Sequence, residues 1–160
     1  MGIAERVLEE NTPWPAARAL WLARLARAAD FFLAFDGRSG GVPVNLEEKG
    51  KVALAGLGFT LSGRPDRIDR LPDGRLHIID YKTGTPPTKA MQKAFDKQLL
   101  LAAAMAERDA FKGLEGSEVA LISYVGLGSS PKLEETVITP EVTGEVWEGL
   151  YKLIAHYLDE

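Results

Sequence analysis

The sequence contains no cysteine and only two histidines, His77 and His156, among its 160 residues. Without cysteine, the chain cannot form a disulfide framework, a thiolate zinc site, an iron–sulfur cluster or a cysteine nucleophile. The two histidines lie far apart in the sequence, so a histidine-rich metal site is not favoured. A site for chemistry in this chain has to be sought among its other polar residues.

The sequence also lacks an excess of positive charge and any long apolar run. Its 23 acidic residues outnumber its 19 basic residues, and the formal net charge is −4, which argues against a strongly basic nucleic-acid-binding protein. No stretch approaches the roughly 20 apolar residues that span a bilayer, and the first residues do not resemble a signal peptide. We therefore expect a cytoplasmic protein with no membrane contact. A hydrophobic fraction of 46% and this length fit one globular domain.

Hydrophobic periodicity and turn residues divide the chain into helices and strands. Helices are predicted at 13–35, from Thr88 to about residue 108, and from Thr139 onwards. Strands are predicted within 42–54, 58–71, 75–82 and 118–125, with a tight turn at 71–75. The order of these elements indicates an α/β fold in which helices flank a sheet.

Two helices carry apolar stripes that we expect to be buried. The stripe of the first helix consists of Trp21, Leu25, Ala28, Phe32 and Phe35. The stripe of the helix after Thr88 consists of Met91, Phe95, Leu99, Ala102 and Ala106. We expect all three tryptophans to serve as core or interface anchors rather than as base-stacking platforms; they are Trp14, Trp21 and Trp147.

Two aspartates and a lysine are predicted to meet on one face of the sheet. Side chains alternate along a strand, so Asp80 and Lys82 point the same way, and the turn at 71–75 brings the strand of Asp66 back against them. Carboxylates suit Mg²⁺ or Mn²⁺, and a neighbouring lysine can hold a scissile phosphate. The cluster therefore suits phosphodiester hydrolysis. The alternative is a structural role, in which the aspartates pair with nearby arginines (Arg64, Arg67 or Arg70) and the lysine is solvated.

The residues around this cluster, 63–71 and 78–84, resemble the nuclease signature of the RecB-like PD-(D/E)XK superfamily. Residues 98–105 resemble the helix that follows the core in that family, and the first helix resembles the segment before its sheet. Within the superfamily, the sequence is most similar to the C-terminal nuclease domain of AddB-type subunits of helicase–nucleases. The resemblance implies a restriction-endonuclease-like core, with a mixed central sheet flanked by helices.

The resemblance also implies roles for individual residues. It implies four catalytic residues, which are Asp66, Asp80, Lys82 and Gln98. Asp66 and Asp80 would bind Mg²⁺ or Mn²⁺ together with the backbone carbonyl of Tyr81, and Glu47 is a further candidate ligand. For Gln98, an ordinary half-buried glutamine is the alternative.

The implied activity is that of a metal-dependent DNA nuclease that processes double-strand breaks for recombinational repair in the bacterial cytoplasm. The implied partners are a DNA single strand, delivered by a helicase, and an AddA-type helicase–nuclease subunit. The alternative is a catalytically inactive nuclease-like module that binds DNA or assists subunit assembly. Candidate DNA contacts are Arg64, Lys89, Lys93 and Lys97, the last three forming a line along the predicted helix after Thr88. The alternative for that line is a solvated face.

The sequence departs from the family pattern in three places. No histidine in residues 3–11 matches the histidine of the family's upstream motif, and Ala102 stands where many members have an aromatic residue. The iron–sulfur cluster of some members is excluded, because the chain has no cysteine. We therefore expect residues 1–160 to form a single nuclease domain, a C-terminal piece of a longer protein that lacks the upstream helix. His77 and His156 are expected to be structural, and Asp69 is expected to pair with a neighbouring arginine.

Overall fold

The structure, a computed structural model, describes residues 2–158. These residues form helices and strands in the following order: α1 Ile3–Asn11, α2 Pro15–Ser39, β1 Val42–Leu46, β2 Gly50–Leu54, β3 Phe59–Gly63, β4 Arg67–Arg70, β5 Leu76–Lys82, α3 Lys89–Ala94, α4 Gln98–Ala106, β6 Val119–Gly126, β7 Lys132–Val137 and α5 Pro140–Leu158. None of the helices within this part of the chain combines the length and the apolar character needed to cross a membrane.

The central sheet has five strands in the order β1-β4-β5-β6-β7. Strands β5 and β6 are parallel, and the other neighbours are antiparallel. The parallel pair needs a crossover, which α3 and α4 provide. Strands β2 and β3 form a separate antiparallel hairpin. The predicted α/β class with a mixed central sheet is therefore confirmed.

Helices cover both faces of the sheet. Helices α4 and α5 pack on the face that carries Ile68, Ile78 and Ile122, all fully buried. Helix α2 packs on the other face, where Phe35 contacts a smaller cluster containing Ile79 and Val125. Alternation along β5 therefore directs Asp80 and Lys82 toward α4, and His77 and Tyr81 toward α2.

Helix α2 buries only part of its predicted stripe. Ala28 and Phe35 are buried, but Trp21 is 43% exposed and Leu25 is 45% exposed. The C-terminal half packs on strands, whereas Trp21 and Leu25 only line an open cavity with the loops after β5 and β6. The helix passes through Gly37 and ends at Gly40, whose φ of 61° places it in the left-handed conformation that suits glycine.

The single helix predicted from Thr88 to about residue 108 is wrong, because the chain breaks it into α3 and α4. Thr88 does cap α3, since its Oγ1 accepts a hydrogen bond from the Met91 N–H at 3.4 Å. The backbone N–H groups of Phe95 and Asp96 both donate to the Met91 carbonyl, which ends α3. The Asp96 side chain then accepts a hydrogen bond from the Tyr124 hydroxyl at 3.0 Å, which holds the break against β6.

The break changes which side chains are buried. Met91 is 51% exposed and Phe95 is 90% exposed, whereas the later members of the stripe are buried as predicted; these are Leu99, Ala102 and Ala106. The line of lysines is also interrupted, because Lys89 and Lys93 belong to α3 and Lys97 caps α4. The prediction of one continuous basic line along a helix is therefore wrong.

Candidate active site

Asp80, Lys82 and Gln98 form a closed triangle of polar contacts on the α4 face of the sheet. Gln98 Nε2 donates to Asp80 Oδ1 at 3.0 Å, and Lys82 Nζ donates to Gln98 Oε1 at 3.2 Å. Lys82 Nζ also lies 2.8 Å from Asp80 Oδ2. Gln98 therefore orients both the carboxylate and the ammonium group, which it can do because it is the first residue of α4 and faces the end of β5.

Asp66 lies immediately before β4 and faces the same strand end. The antiparallel register of β4 and β5 pairs Arg67 with Ile79, so continuing it by one residue puts Asp66 opposite Asp80. Asp66 Oδ2 accepts a hydrogen bond from the Tyr81 N–H at 2.8 Å. The structure thus brings together the four residues predicted to be catalytic, because the turn at 71–75 fixes the register as the sequence indicated.

The electrostatics of the site are dominated by the burial of Asp80, which is only 3% exposed. Burial raises the pKa of the Asp80 carboxyl, the Lys82 ammonium opposes this shift, and the charges of Asp66 and Asp96 reinforce it. Asp80 Oδ2 is buried and accepts no hydrogen bond of normal geometry, so its contact with Lys82 is an ion pair alone. A cation entering beside Asp80 and Asp66 would relieve both the burial cost and the repulsion.

The donor set fits a divalent cation such as Mg²⁺. The orphaned Oδ2 of Asp80 and the carboxylate of Asp66 are hard oxygen ligands at one strand end. Within residues 2–158, no group of three or more acidic or histidine side chains is close enough to hold a metal ion. Such a sparse set suits Mg²⁺, which is usually held by one or two carboxylates and fills its shell with water and phosphate oxygens.

Glu47, the further candidate ligand, follows β1 directly. Its backbone N–H donates to the Asp66 carbonyl at 3.1 Å, and its φ of 53° is unusual for a residue other than glycine. It lines an open depression of about 590 Å³ together with Asp66 and Tyr81. Glu47 is therefore next to Asp66, but its role as a ligand stays a prediction, as does that of the Tyr81 carbonyl.

Tyr124 and Asp96 belong to the surroundings of the site and were missed by sequence reasoning. Lys82 Nζ lies 5.5 Å from the centroid of the Tyr124 ring, and the Tyr124 hydroxyl accepts from the Leu99 N–H at 3.3 Å. The available signal was strand alternation, which places Tyr124 on the face opposite Ser123. Its pairing with Asp80 depends on the β5–β6 register, which no local pattern reveals.

The candidate DNA contacts are spread around this cluster. Arg64 is exposed and lines a cavity of about 170 Å³ together with Gln98. The lysines of the two short helices are also exposed; they are Lys89, Lys93 and Lys97. Only Arg64 among these four shares a cavity with a residue of the triangle, and their contact with DNA stays a prediction.

The opposite face of the same strands carries a second polar cluster, whose centre, Arg67 and Asp69, is sealed from water and whose edge, Asp36, is exposed. Arg67 donates to both carboxylate oxygens of Asp69, at 2.6 and 2.7 Å, and to Asp36 on α2 at 2.6 Å. Asp69 is fully buried, and these hydrogen bonds raise the pKa of Arg67 well above its usual value. The prediction that Asp69 pairs with a neighbouring arginine is confirmed. The aspartates of the site do not pair with Arg67, which has Asp69 and Asp36 instead.

His77 lies in the same sealed layer. Its Nε2 is 2.7 Å from the Ser123 hydroxyl, and the histidine is only 1% exposed. Burial lowers the pKa of His77 to about 4, so the imidazole is neutral at pH 7. The expected structural role of His77 agrees with this position, remote from the carboxylates on the other face.

Comparison with known proteins adds a family and several relatives. The family model of the PD-(D/E)XK nuclease superfamily matches residues 2–158. An uncharacterised protein of Rickettsia felis is 30% identical over 128 residues, which cover 77% of this chain and 15% of that protein. A second one, from Rickettsia typhi, is 29% identical over 126 residues, which cover 74% of this chain and 15% of its own length. The chain spans about 15 to 22% of the length of the curated relatives it matches.

A crystal structure of a "putative exonuclease" from Eubacterium rectale also resembles this chain. The match has a TM-score of 0.49 and 15% sequence identity, and it covers 88% of this chain and 51% of the other. A likeness this weak has no bearing on function. The family match, by contrast, extends over nearly the whole chain and agrees with the predicted restriction-endonuclease-like fold, which is thereby confirmed.

Proposed function

The chain belongs to the PD-(D/E)XK nuclease superfamily, and from that premise we propose that it hydrolyses phosphodiester bonds of DNA with Asp66, Asp80, Lys82 and Gln98 as its catalytic residues. Enzymes of this superfamily generally use divalent metal ions such as Mg²⁺. The observation that carries the proposal is the orphaned, buried oxygen of Asp80, held beside an ammonium group and facing a second carboxylate. Burying a carboxylate oxygen without a hydrogen bond lowers the stability of the fold, and binding of a cation and a phosphate would give that oxygen its missing partner.

Each residue has a separate task in the proposed reaction. Asp66 and Asp80 would hold Mg²⁺ or Mn²⁺, which supplies a Lewis acid for the phosphate and lowers the pKa of water. Lys82, kept in place by Gln98 and Asp80, stabilises the negative charge that develops on the phosphate. Gln98 fixes the orientation of the other two groups and is exposed enough to contact the substrate itself.

A nuclease assay with a labelled single-stranded oligonucleotide tests this function. We expect cleavage with Mg²⁺ or Mn²⁺ and none with chelator, and we expect Asp80→Asn to abolish it. The matched control is Asp73→Asn, since Asp73 lies in the exposed turn at 71–75 and contacts Arg75. Titration calorimetry with Mn²⁺ should give heat for the wild type and little for Asp80→Asn. Equal heats and equal cleavage for the wild type and Asp80→Asn would contradict the assignment of Asp80 as a metal ligand and catalytic residue.

The cellular role that we propose is DNA end processing by a helicase–nuclease. The proposal is supported by the similarity of residues 63–84 and 98–105 to the AddB-type nuclease domain, and it includes a bacterial cytoplasmic location and an AddA-type partner subunit. In the complete parent protein with that subunit, Lys82→Ala should abolish DNA degradation and leave ATP-dependent unwinding intact. Loss of unwinding in the same variant, or an absence of unwinding in the wild type, would contradict this role.

A non-catalytic module is the second candidate. It is favoured by the contacts that the carboxylates already make within the protein, since Asp66 accepts from the Tyr81 N–H and Asp80 accepts from the Gln98 amide. In that case the Asp80–Lys82 pair is a remnant that supports the fold or binds DNA without cutting it. DNA binding that persists in a protein inactive with every divalent cation tested would support this candidate over the nuclease.

A further inference from the structure

The first half of α2 and the loops after β5 and β6 enclose an open cavity of about 320 Å³. Its α2 wall is formed by Trp21, Arg24 and Leu25, and its opposite wall includes Leu127 and Gly128. None of these residues belongs to the triangle of Asp80, Lys82 and Gln98. The cavity has a size suited to one nucleotide-sized ligand rather than to an ion.

The cavity adjoins the candidate active site through the backbone. Thr83, which lines the cavity, directly follows Lys82 in the chain. Leu127, on the same wall, donates its N–H to the Lys82 carbonyl at 2.7 Å. Both residues stand at the carboxyl ends of the parallel strands β5 and β6, where open α/β sheets bind their ligands. A ligand in the cavity would therefore sit at the same edge of the sheet as a phosphate held by Lys82, but on the α2 face, so a bound strand would pass over this edge from one face to the other.

The lining combines an aromatic face with a cation. The Arg24 guanidinium lies 5.3 Å from the centroid of the Trp21 ring, and Trp21 remains 43% exposed. The remaining α2 lining, Leu25 and Ala28, is apolar. A partly exposed indole beside apolar groups favours a flat aromatic ligand on the part of the ring that Arg24 leaves uncovered, and the guanidinium itself favours a ligand that also carries negative charge. A nucleotide has both properties.

The charge of the chain favours a contact that does not depend on phosphate neutralisation. With a net charge of −4, the chain as a whole repels DNA. Affinity for nucleic acid ordinarily comes from neutralised phosphates, and that source is weak here. Stacking of a base on an aromatic side chain does not depend on net charge and is tolerant of sequence.

We propose that this cavity receives an unpaired nucleobase of the strand that is cut, stacked on Trp21 with Arg24 near a flanking phosphate. The inference rests on the proposed nuclease function and adds to it a site for one base of the single strand that the resemblance implies as substrate. A base within a duplex has both faces covered by its neighbours, so it cannot stack on an indole. Under this proposal Trp21 is a base-stacking platform, whereas the sequence predicted a core or interface anchor, and the binding experiment below decides between the two.

A binding experiment separates base stacking from contact with the backbone. Fluorescence anisotropy is measured with Ca²⁺ in place of Mg²⁺, using a labelled oligothymidylate and an abasic oligonucleotide of equal length. We expect the wild type to bind the oligothymidylate about tenfold more tightly than the abasic strand. Trp21→Ala should remove this preference and leave abasic binding unchanged. The matched control is Trp14→Ala, because Trp14 is 70% exposed and lies outside the cavity.

A second variant keeps the proposal testable if Trp21→Ala fails to fold. Ser129→Leu adds a larger, non-aromatic side chain to the cavity wall without changing a residue of α2, and it should also remove the preference. Thermal unfolding of each variant shows that the fold is kept. A preference that survives in Trp21→Ala or in Ser129→Leu overturns the proposal.

The outcome is independent of catalysis. A preference that depends on Trp21, in a protein that cuts no DNA with Mg²⁺ or Mn²⁺, supports the cavity and contradicts the proposed nuclease function. If cleavage depends on Asp80 but the protein binds the oligothymidylate and the abasic strand equally, the result supports the proposed nuclease function and contradicts base stacking in the cavity.

Discussion

The two faces of β4 and β5 each carry a polar cluster with a buried aspartate, but the two aspartates differ in how completely their oxygens are hydrogen-bonded. On the α2 face, Arg67 and Asp69 are buried and make their hydrogen bonds within the protein. On the α4 face, the Lys82 side chain is 31% exposed and Asp80 keeps an oxygen without a hydrogen bond. A sealed cluster of paired charges stabilises one structure, whereas an open, incompletely paired cluster can exchange its partners for a ligand.

Asp69→Ala should produce the largest effect, because it leaves the buried Arg67 guanidinium without its bidentate partner. We expect the free energy of unfolding to fall by about 3 kcal/mol, the lower end of what breaking a buried pair costs, because Asp36 still pairs with Arg67. Urea denaturation of the variant and the wild type measures this difference. Asp73→Ala, which removes an exposed carboxylate from the turn, is the control and should change little. A small decrease in the free energy of unfolding for Asp69→Ala would show that the Arg67–Asp69 pair is not what stabilises the α2 face.

Lys82→Ala should affect activity more than stability. Removing an electrostatic stabiliser usually lowers the rate on the order of 10²-fold or more. The free energy of unfolding should fall by less than in Asp69→Ala, because Asp80 keeps its hydrogen bond from Gln98 and can take up a proton. Cleavage rates and urea denaturation of the same preparation test both parts. Lys152→Ala, which breaks an exposed pair with Glu148, serves as the control.

His77 should make the sealed face sensitive to acid. In the folded chain its pKa is about 4, against 6.5 for a free histidine, because burial and the charge of Arg67 outweigh the attraction of Asp69. Between pH 6.5 and pH 4, His77 is protonated in the unfolded chain but neutral in the folded chain. The free energy of unfolding therefore falls as the pH is lowered through this range. From pH 7 to pH 5 we expect a loss of about 2 kcal/mol from this group.

His77→Gln removes that titration and should flatten the pH dependence of stability by the same amount. Glu135, which accepts from Ser123 next to the histidine, has an acidic side chain and remains in both proteins, so its contribution cancels in the comparison. Urea denaturation at several pH values measures the two slopes. Parallel slopes would show that His77 takes up its proton as readily in the folded chain as in the unfolded chain.

Gln98→Ala should have the smallest of these effects, because it breaks two hydrogen bonds of the triangle but leaves the ion pair of Asp80 and Lys82. Loss of a residue that orients a ligand typically lowers activity about tenfold or somewhat more. Cleavage rates check this, with Asn11→Ala on the exposed α1 as the control. A rate equal to that of the wild type would make Gln98 an ordinary surface glutamine.

The convergence of the site could be predicted because it depends on local rules. Alternation along β5 places Asp80 and Lys82 on one face, and the turn at 71–75 pairs β4 with β5 so that Asp66 lies opposite Asp80. Both rules act within a short segment. For the same reason, the helix starts predicted at Thr88 and Thr139 agree with α3 and α5, which begin one residue later in each case.

What could not be predicted depends on contacts that are distant in sequence. The break between α3 and α4 is held by Asp96 and the Tyr124 hydroxyl, so residues 89–106 alone give no sign of it. Strand β7 was missed because it is a half-exposed edge strand with charged residues on both faces. The exposure of Trp21 was missed because an apolar stripe shows which side of a helix is apolar, but not how far the sheet beneath it extends.

The parallel pairing of β5 with β6 has a consequence for the order of folding. Pairing of β4 with β5 closes a short loop. Pairing of β5 with β6 closes a longer loop that contains α3 and α4, so it costs more chain entropy and forms more slowly. The two carboxylates therefore come together early, and the surroundings of the lysine are completed late. In refolding followed by pulsed hydrogen exchange, we expect amides of the hairpin to become protected before those of β6.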